Sequence, residues 1–440
     1  MAFRCETCGS TSAKWMGFCP QCLVPEPLVE EAPTPASSRR RVQASPAIRL
    51  GEVRAEEAAH VPIGIGELDR VLGGGLVGGS VSLLGGEPGV GKSTLLLQAA
   101  GALAHGGRRV LMVSAEESAQ QVAMRADRLG VDVPGIVLVA DDDVDRVLAA
   151  AEAEPPDLMV IDSIQTVGSS DVSGTPGGIA QIRESAARLI RFAKSQGVAT
   201  VLIGHVTKEG GIAGPKLLEH MVDVVLYLEG DPDRGLRALR CLKNRFGATH
   251  VVGVFEMTAD GLSEVADPSK AFLADWESTV PGTIAFPAVE GRRSVLVEIQ
   301  ALTNDTDYPQ PRRSVRGVEV SRVHQILAVL ARHAGIAAFK HDVYVNVAGG
   351  WKVTEPGCDL PIALALASSI LDVPLGPVAA WGEIGLAGEV RKVPFESRRR
   401  QEAERVGLER VIAPANGSSL RLDEALARAG LVGDPSVGRT

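Results

Sequence analysis

In the stretch Gly86-Glu87-Pro88-Gly89-Val90-Gly91-Lys92-Ser93-Thr94, the first eight residues satisfy the pattern G-x-x-x-x-G-K-[ST] without a mismatch. The chemistry that this spacing suits is phosphate binding. Glycines carry no Cβ, so the backbone can curl its N–H groups inward onto phosphate oxygens, at the positive end of the helix that follows. Lys92 then reaches the β- and γ-phosphates of ATP, and the Ser93 hydroxyl is a ligand for Mg²⁺. A second constellation lies near the start of the chain. Cys5 and Cys8, then Cys19 and Cys22, form two C-x₂-C pairs with ten residues between them. Two tight turns spaced in this way complete a tetrahedral Zn²⁺ site. Four thiolates leave no open coordination position, so the expected zinc is structural. The segment has few apolar side chains beyond Phe3, Trp15 and Phe18, and the metal would supply its folding free energy. Two disulfides or a redox pair are the alternatives, and the lack of a secretory signal at the N-terminus weighs against disulfides.

These residues need elements to hold them. Residues 80–84 read as a strand and 94–104 as a helix, which sets the glycines on the strand-to-helix turn that the motif requires. From about residue 49 to 265, strand-like and helix-like stretches alternate, the pattern of a mostly parallel sheet flanked by helices. Three further strands are expected at 110–114, 158–161 and 200–203. They run into Ala115-Glu116-Glu117, Asp162-Ser163 and Gly204-His205. Ligands of such sheets bind beyond the carboxyl ends of the strands, so these termini should converge on the phosphate loop. Asp162, ending an apolar strand, is the expected carboxylate of the Mg²⁺ site, with a helix N-cap as its other reading. Glu116 is the candidate to orient or deprotonate the attacking water, and Glu117 competes for the role. His205 is a γ-phosphate sensor or a structural histidine. Two long polar loops, 165–179 and 206–215, follow these strands toward the same side.

Composition sets the outer limits. The chain has 440 residues, about three domains on the usual length prior, with 45% hydrophobic and 22% charged residues. A net charge of −9 excludes a uniformly basic nucleic-acid coat but not local basic patches. No apolar run approaches the ~18 residues of a membrane span, so no membrane partner and a cytoplasmic location are expected. Aromatic residues make up only 4%, so contacts to a nucleic acid should be to its backbone more than to stacked bases.

The block Glu67-Leu68-Asp69-Arg70-Val71-Leu72-Gly73-Gly74-Gly75-Leu76, the phosphate loop, the pentapeptide Lys243-Asn244-Arg245-Phe246-Gly247 and the four cysteines together resemble the bacterial RadA (Sms) family of DNA-repair and recombination ATPases. The resemblance spans nearly the whole chain, with one departure at Ala115, where that family has glycine. It implies an α/β fold with a RecA-like phosphate-loop ATPase core, a small N-terminal zinc finger and a C-terminal α+β Lon-protease-like domain. It further implies ATP hydrolysis that drives branch migration of recombination intermediates, single-stranded DNA in the channel of a homo-oligomeric ring, by analogy a hexamer, and a recombinase as a candidate partner. The two long loops become candidates for contacting DNA. Lys243 and Arg245, far from the phosphate loop in sequence, become candidates to complete the ATP site of a neighbouring subunit.

The expected organisation is a four-cysteine zinc finger over 1–27, a proline-rich linker over 28–48, the ATPase domain over 49–270 and the Lon-like domain over 271–440. The stretch Gly382-Glu383-Ile384-Gly385-Leu386-Ala387-Gly388-Glu389-Val390 is similar to a strand of the Lon proteolytic domain. The expected nucleophile segment there holds Cys358 and no serine, and the lysine position falls near Ser397, so the domain is expected to be proteolytically inactive. Arg391, Lys392 and Arg398-Arg399-Arg400 form a basic stretch that suits either phosphate contact or a solvated helix face. Two rival functions stay open: an ATP-dependent protease, with Cys358 as a replacement nucleophile, and a RecA-like signalling ATPase that never meets DNA.

Overall fold

The computed structural model describes residues 2–5, 10–12, 14–19, 25, 28–31, 60–131, 134–172, 174–175, 177–205, 213–230, 235–291, 293–415 and 420–433. The chain divides into two units, Met1–Glu57 and Ala58–Thr440. In the first, Ala2–Cys5 pairs antiparallel with both Thr11–Ser12 and Leu28–Glu31, so the sheet runs past residue 27. Cys5 and Cys19 are buried in one cluster, against Phe3 and Met16. Cys8 and Cys22 lie outside the described residues.

The second unit is built on a nine-stranded sheet. Its strands are β1 (Val81–Gly86), β2 (Val110–Ser114), β3 (Ile136–Val139), β4 (Leu158–Asp162), β5 (Ala199–His205), β6 (Val224–Gly230), β7 (Leu236–Asn244), β8 (Val252–Thr258) and β9 (Gly261–Glu264). They lie in the order β9-β8-β7-β6-β1-β5-β4-β2-β3. The six from β6 to β3 run parallel, as expected for strands that read as continuous apolar runs. Alternate residues explain the runs. Leu84, Met112, Val160 and Ile203 enter a core on one face, with helix α1 (Lys92–His105). Leu83, Val113, Ile161 and Leu202 enter a second core on the other. Helix α2 (Ala119–Arg128) follows β2, and α3 (Ile179–Gln196) packs into the second core. The antiparallel meander β6 to β9 departs from the expected alternation. So does α4 (Ala213–Met221), which puts Pro215 inside a helix rather than in the second long loop. Residues 206–212, with Lys208, lie outside the described set.

The C-terminal part forms a six-stranded mixed sheet of β10 (Thr283–Glu290), β11 (Arg293–Asp305), β12 (Arg313–Arg316), β13 (His341–Val347), β14 (Val378–Ala380) and β15 (Arg410–Ile412), in the order β12-β13-β11-β10-β14-β15. Helix α5 (Val320–His333) and the almost wholly buried α6 (Asp359–Leu371) cover it, and α7 (Glu396–Arg405) packs against β10 and β11. Its core reaches into the ATPase meander and takes in Ala238, Val252 and Val254. Two charges, buried Glu67 and largely buried Arg240, fasten the same seam. Arg240 pairs with Glu229 and Glu290 and lies 4.6 Å over the Trp351 ring. Glu67 accepts the backbone N–H of Val254 at 3.0 Å and the Arg293 guanidinium at 2.8 Å. Glu67 is therefore a scaffold residue. Among the described residues no helix is long and apolar enough to cross a membrane.

Candidate active site

The turn between β1 and α1 has the backbone that its glycines permit. Gly86, Gly89 and Gly91 have φ of +154°, +76° and +113°. A Cβ on Gly86 would stand 2.4 Å from the Leu228 carbonyl oxygen, and one on Gly91 2.6 Å from the Met257 Cε. Gly91 is also the N-cap of α1, and no side chain caps that end, so the first N–H groups of the helix are left for an anion. Lys92 is buried and donates to the carbonyls of Gly86 at 2.9 Å and Glu87 at 3.0 Å. Burial holds its ammonium pKa below the usual lysine range, and the charges of Asp162 and Glu116 oppose that shift. A shaped anion cradle with one desolvated cation fits a polyphosphate.

Sheet register brings the acids to the cradle. Ser114 pairs with Asp162 across β2 and β4, and the Ala115 N–H donates to the Asp162 carbonyl at 2.8 Å. Burial raises the Asp162 carboxyl above the ordinary range. A hydrogen bond from Ser93 opposes this, Glu116 adds to it, and His205 and Arg125 oppose it more weakly. Ser93 and Asp162 thus form a desolvated oxygen pair beside the phosphate cradle, a donor set that fits Mg²⁺. Such a cation would favour the ionised aspartate.

The two neighbouring glutamates are sorted by their partners. Glu117 is tied to Arg125 at 2.5 Å. Glu116 accepts the Ser163 hydroxyl and lies 3.3 Å from His205 Nε2, on the side of the cleft where Asp162 sits. Among the described residues Glu116, unlike Glu117, has no arginine in an ion pair with it.

Gly89, Gly91, Lys92, Ser93, Glu116, Glu117, Asp162 and His205 line one cleft of about 460 Å³, together with residues that no sequence motif marks: Ser114, Arg125, Arg128, Arg237 and Met257. Arg237, buried on β7, donates to the Val90 carbonyl at 3.0 Å and so braces the loop from across the sheet. Only the helical spacing of Arg125 and Arg128 could have hinted at a shared face. Lys243 and Arg245 do not reach this cleft. Lys243 donates to the carbonyls of Glu219 and Val222, both at 2.7 Å, and half-exposed Arg245 pairs with Asp223 at 2.9 Å.

The C-terminal region has a different character. Cys358 is fully buried, its Sγ donating to the Glu355 carbonyl at 3.1 Å, and burial pushes its thiol up to about 12. Ser397 is exposed on α7. The basic run beside it is not a uniform surface face, because Arg399 is 1% exposed and ion-paired with Glu355.

Residues 49–211 match the model of an AAA domain, and residues 3–24 that of a rubredoxin metal binding domain. DNA repair protein RadA of Bacillus subtilis (strain 168) is 44% identical, with 94% of this chain and 92% of that protein covered. DNA repair protein RadA of Pseudomonas aeruginosa is 47% identical and that of Escherichia coli (strain K12) 45% identical, each over the same shares. Among solved structures, the KaiC-like protein PH0186 from Pyrococcus horikoshii OT3 is 24% identical with a TM-score of 0.41, covering 47% of this chain and 99% of that one.

Proposed function

This chain belongs to the DNA repair protein RadA family, and from that premise we propose that it is a DNA-dependent ATPase motor that binds single-stranded DNA and drives branch migration of recombination intermediates. The fold is α/β, with a RecA-like ATPase core, an N-terminal zinc-ribbon module and a C-terminal Lon-like domain. The observation that carries the motor reading is where the long loops begin. The segment after Asp162 and the segment after His205 start at strand ends whose last residues line the cleft. A change at the phosphates is therefore felt at the roots of both candidate DNA loops.

Within the cleft, the loop N–H groups and Lys92 hold the β- and γ-phosphates, and Glu116 takes a proton from the attacking water. Mg²⁺, held by Ser93 and Asp162, supplies charge neutralisation at those phosphates when bound. Lys243 and Arg245 act in the cleft of a neighbouring subunit of a homo-oligomeric ring, a reading supported by their distance from their own. Mixing inactive Lys92→Ala and Arg245→Ala chains should then restore ATPase activity; none in verified mixed rings would assign the cations to their own chain. The zinc module takes in the strand Leu28–Glu31, the ATPase and Lon-like domains run 49–270 and 271–440, and Cys5, Cys8, Cys19 and Cys22 hold one structural Zn²⁺. Less than about half an equivalent of zinc after chelator-free purification would remove that site.

The motor reading is tested by ATP turnover with and without single-stranded DNA across a salt series. Stimulation that fades as salt rises is the expected result. Turnover indifferent to DNA at every salt concentration would leave the signalling-ATPase reading in its place.

A further inference from the structure

Ser163 belongs to no motif, yet it is fully buried and its hydroxyl donates to Oε1 of Glu116, a residue 47 positions away. The serine is held on its other side as well. The Thr166 hydroxyl donates to the Ser163 carbonyl at 2.8 Å, and the next residue, Ile164, donates its N–H to the Ile203 carbonyl of β5 at 3.1 Å. The hydroxyl therefore projects from a fixed backbone toward a flexible acid that is 37% exposed. A glutamate with three rotatable bonds, tethered only at its Cα, spends most of its time away from one attack geometry. Its other neighbour, the ring of His205 at 3.3 Å, does not meet hydrogen-bond geometry among the described residues.

We propose that Ser163 is the positioning residue of the hydrolytic base, fixing Oε1 of Glu116 so that Oε2 faces the water that attacks the γ-phosphate. The proposal rests on the reading of Glu116 as that base. Ser163 is fully buried and does not line the cleft, so it acts through the carboxylate.

The test is steady-state and single-turnover ATPase kinetics of the full-length protein carrying Ser163→Ala, Ser163→Thr, Glu116→Gln, or Ser163→Ala with Glu116→Gln. Ser163→Ala should lower kcat about tenfold, the usual worth of one hydrogen bond to a charged group, with KM for ATP unchanged. Ser163→Thr, which keeps the hydroxyl, should recover most of that loss. The double variant should turn over no more slowly than Glu116→Gln alone, because a residue acting only through Glu116 has nothing left to position. An undiminished kcat in Ser163→Ala, an equal loss in Ser163→Thr, or losses that multiply in the double variant would each overturn the proposal. An active Glu116→Gln protein would instead remove the base assignment beneath it.

Discussion

The nucleotide cleft and the buried centre around Cys358 are made of the same materials and differ in how their charges are closed. Around Cys358, Arg399 pairs with Glu355, Arg322 pairs with Asp359 at 2.6 Å, and the thiol is spent on a backbone carbonyl. In the cleft, Lys92 is buried on carbonyl oxygens rather than on a carboxylate, Asp162 is held above its ordinary pKa by burial, and Glu116 has a neutral hydroxyl as its donor. A buried charge matched inside the fold is a scaffold. One left to be matched by what enters is a site.

Substitutions in the cleft should therefore remove activity and leave the fold, and those in the second centre should do the reverse. The largest effect belongs to Lys92→Ala, which should lower ATP hydrolysis by at least about 10³-fold while the unfolding transition stays in place. Glu116→Gln should retain nucleotide binding and lose about 10²- to 10⁴-fold in turnover, the worth of a general base. Glu117→Gln should lose at most about fivefold, since it breaks only a partly exposed pair with Arg125. If the two glutamates exchange these effects in side-by-side assays, the base is Glu117.

In the second centre the readout is stability. Arg399→Ala strands Glu355 and should cost about 3 kcal/mol in urea unfolding, whereas removing both partners for apolar residues of similar size should cost less. A neutral Arg399→Ala would show that this pair is not structural. The smallest effect is expected at Cys358. With its thiol pushed up to about 12 by burial, it is protonated at pH 8, and it is fully buried. A thiol reagent at pH 8 should leave it unmodified in the native protein and label it only after unfolding.

What the sequence discloses follows from distance along the chain. The phosphate loop is legible because its glycines, lysine and serine act within nine residues, and β2, β4 and β5 are legible because strands buried on both faces read as apolar runs. Asp162 and Glu116 follow, since each ends such a run. The pairing of Ser163 with Glu116 is not legible, because no periodicity links positions 47 apart. Arg237 reaches the loop only through the meander β6 to β9, whose antiparallel pairing local pattern does not predict. Arg399 reads as one of three surface arginines because its partner Glu355 lies 44 residues away. The seam through Arg240, Glu67 and Trp351 is hidden for the same reason.

Confinement of the chemistry to the phosphate-loop cleft is what the closure of these charges predicts. It is tested most directly by one incubation of the purified protein with ATP, single-stranded DNA and an unfolded polypeptide, followed for phosphate release and for peptide cleavage together. Phosphate should be released, and lost in Lys92→Ala, while the polypeptide stays intact throughout. ATP-dependent cleavage that disappears in Cys358→Ala would contradict the claim and make the second centre the active one.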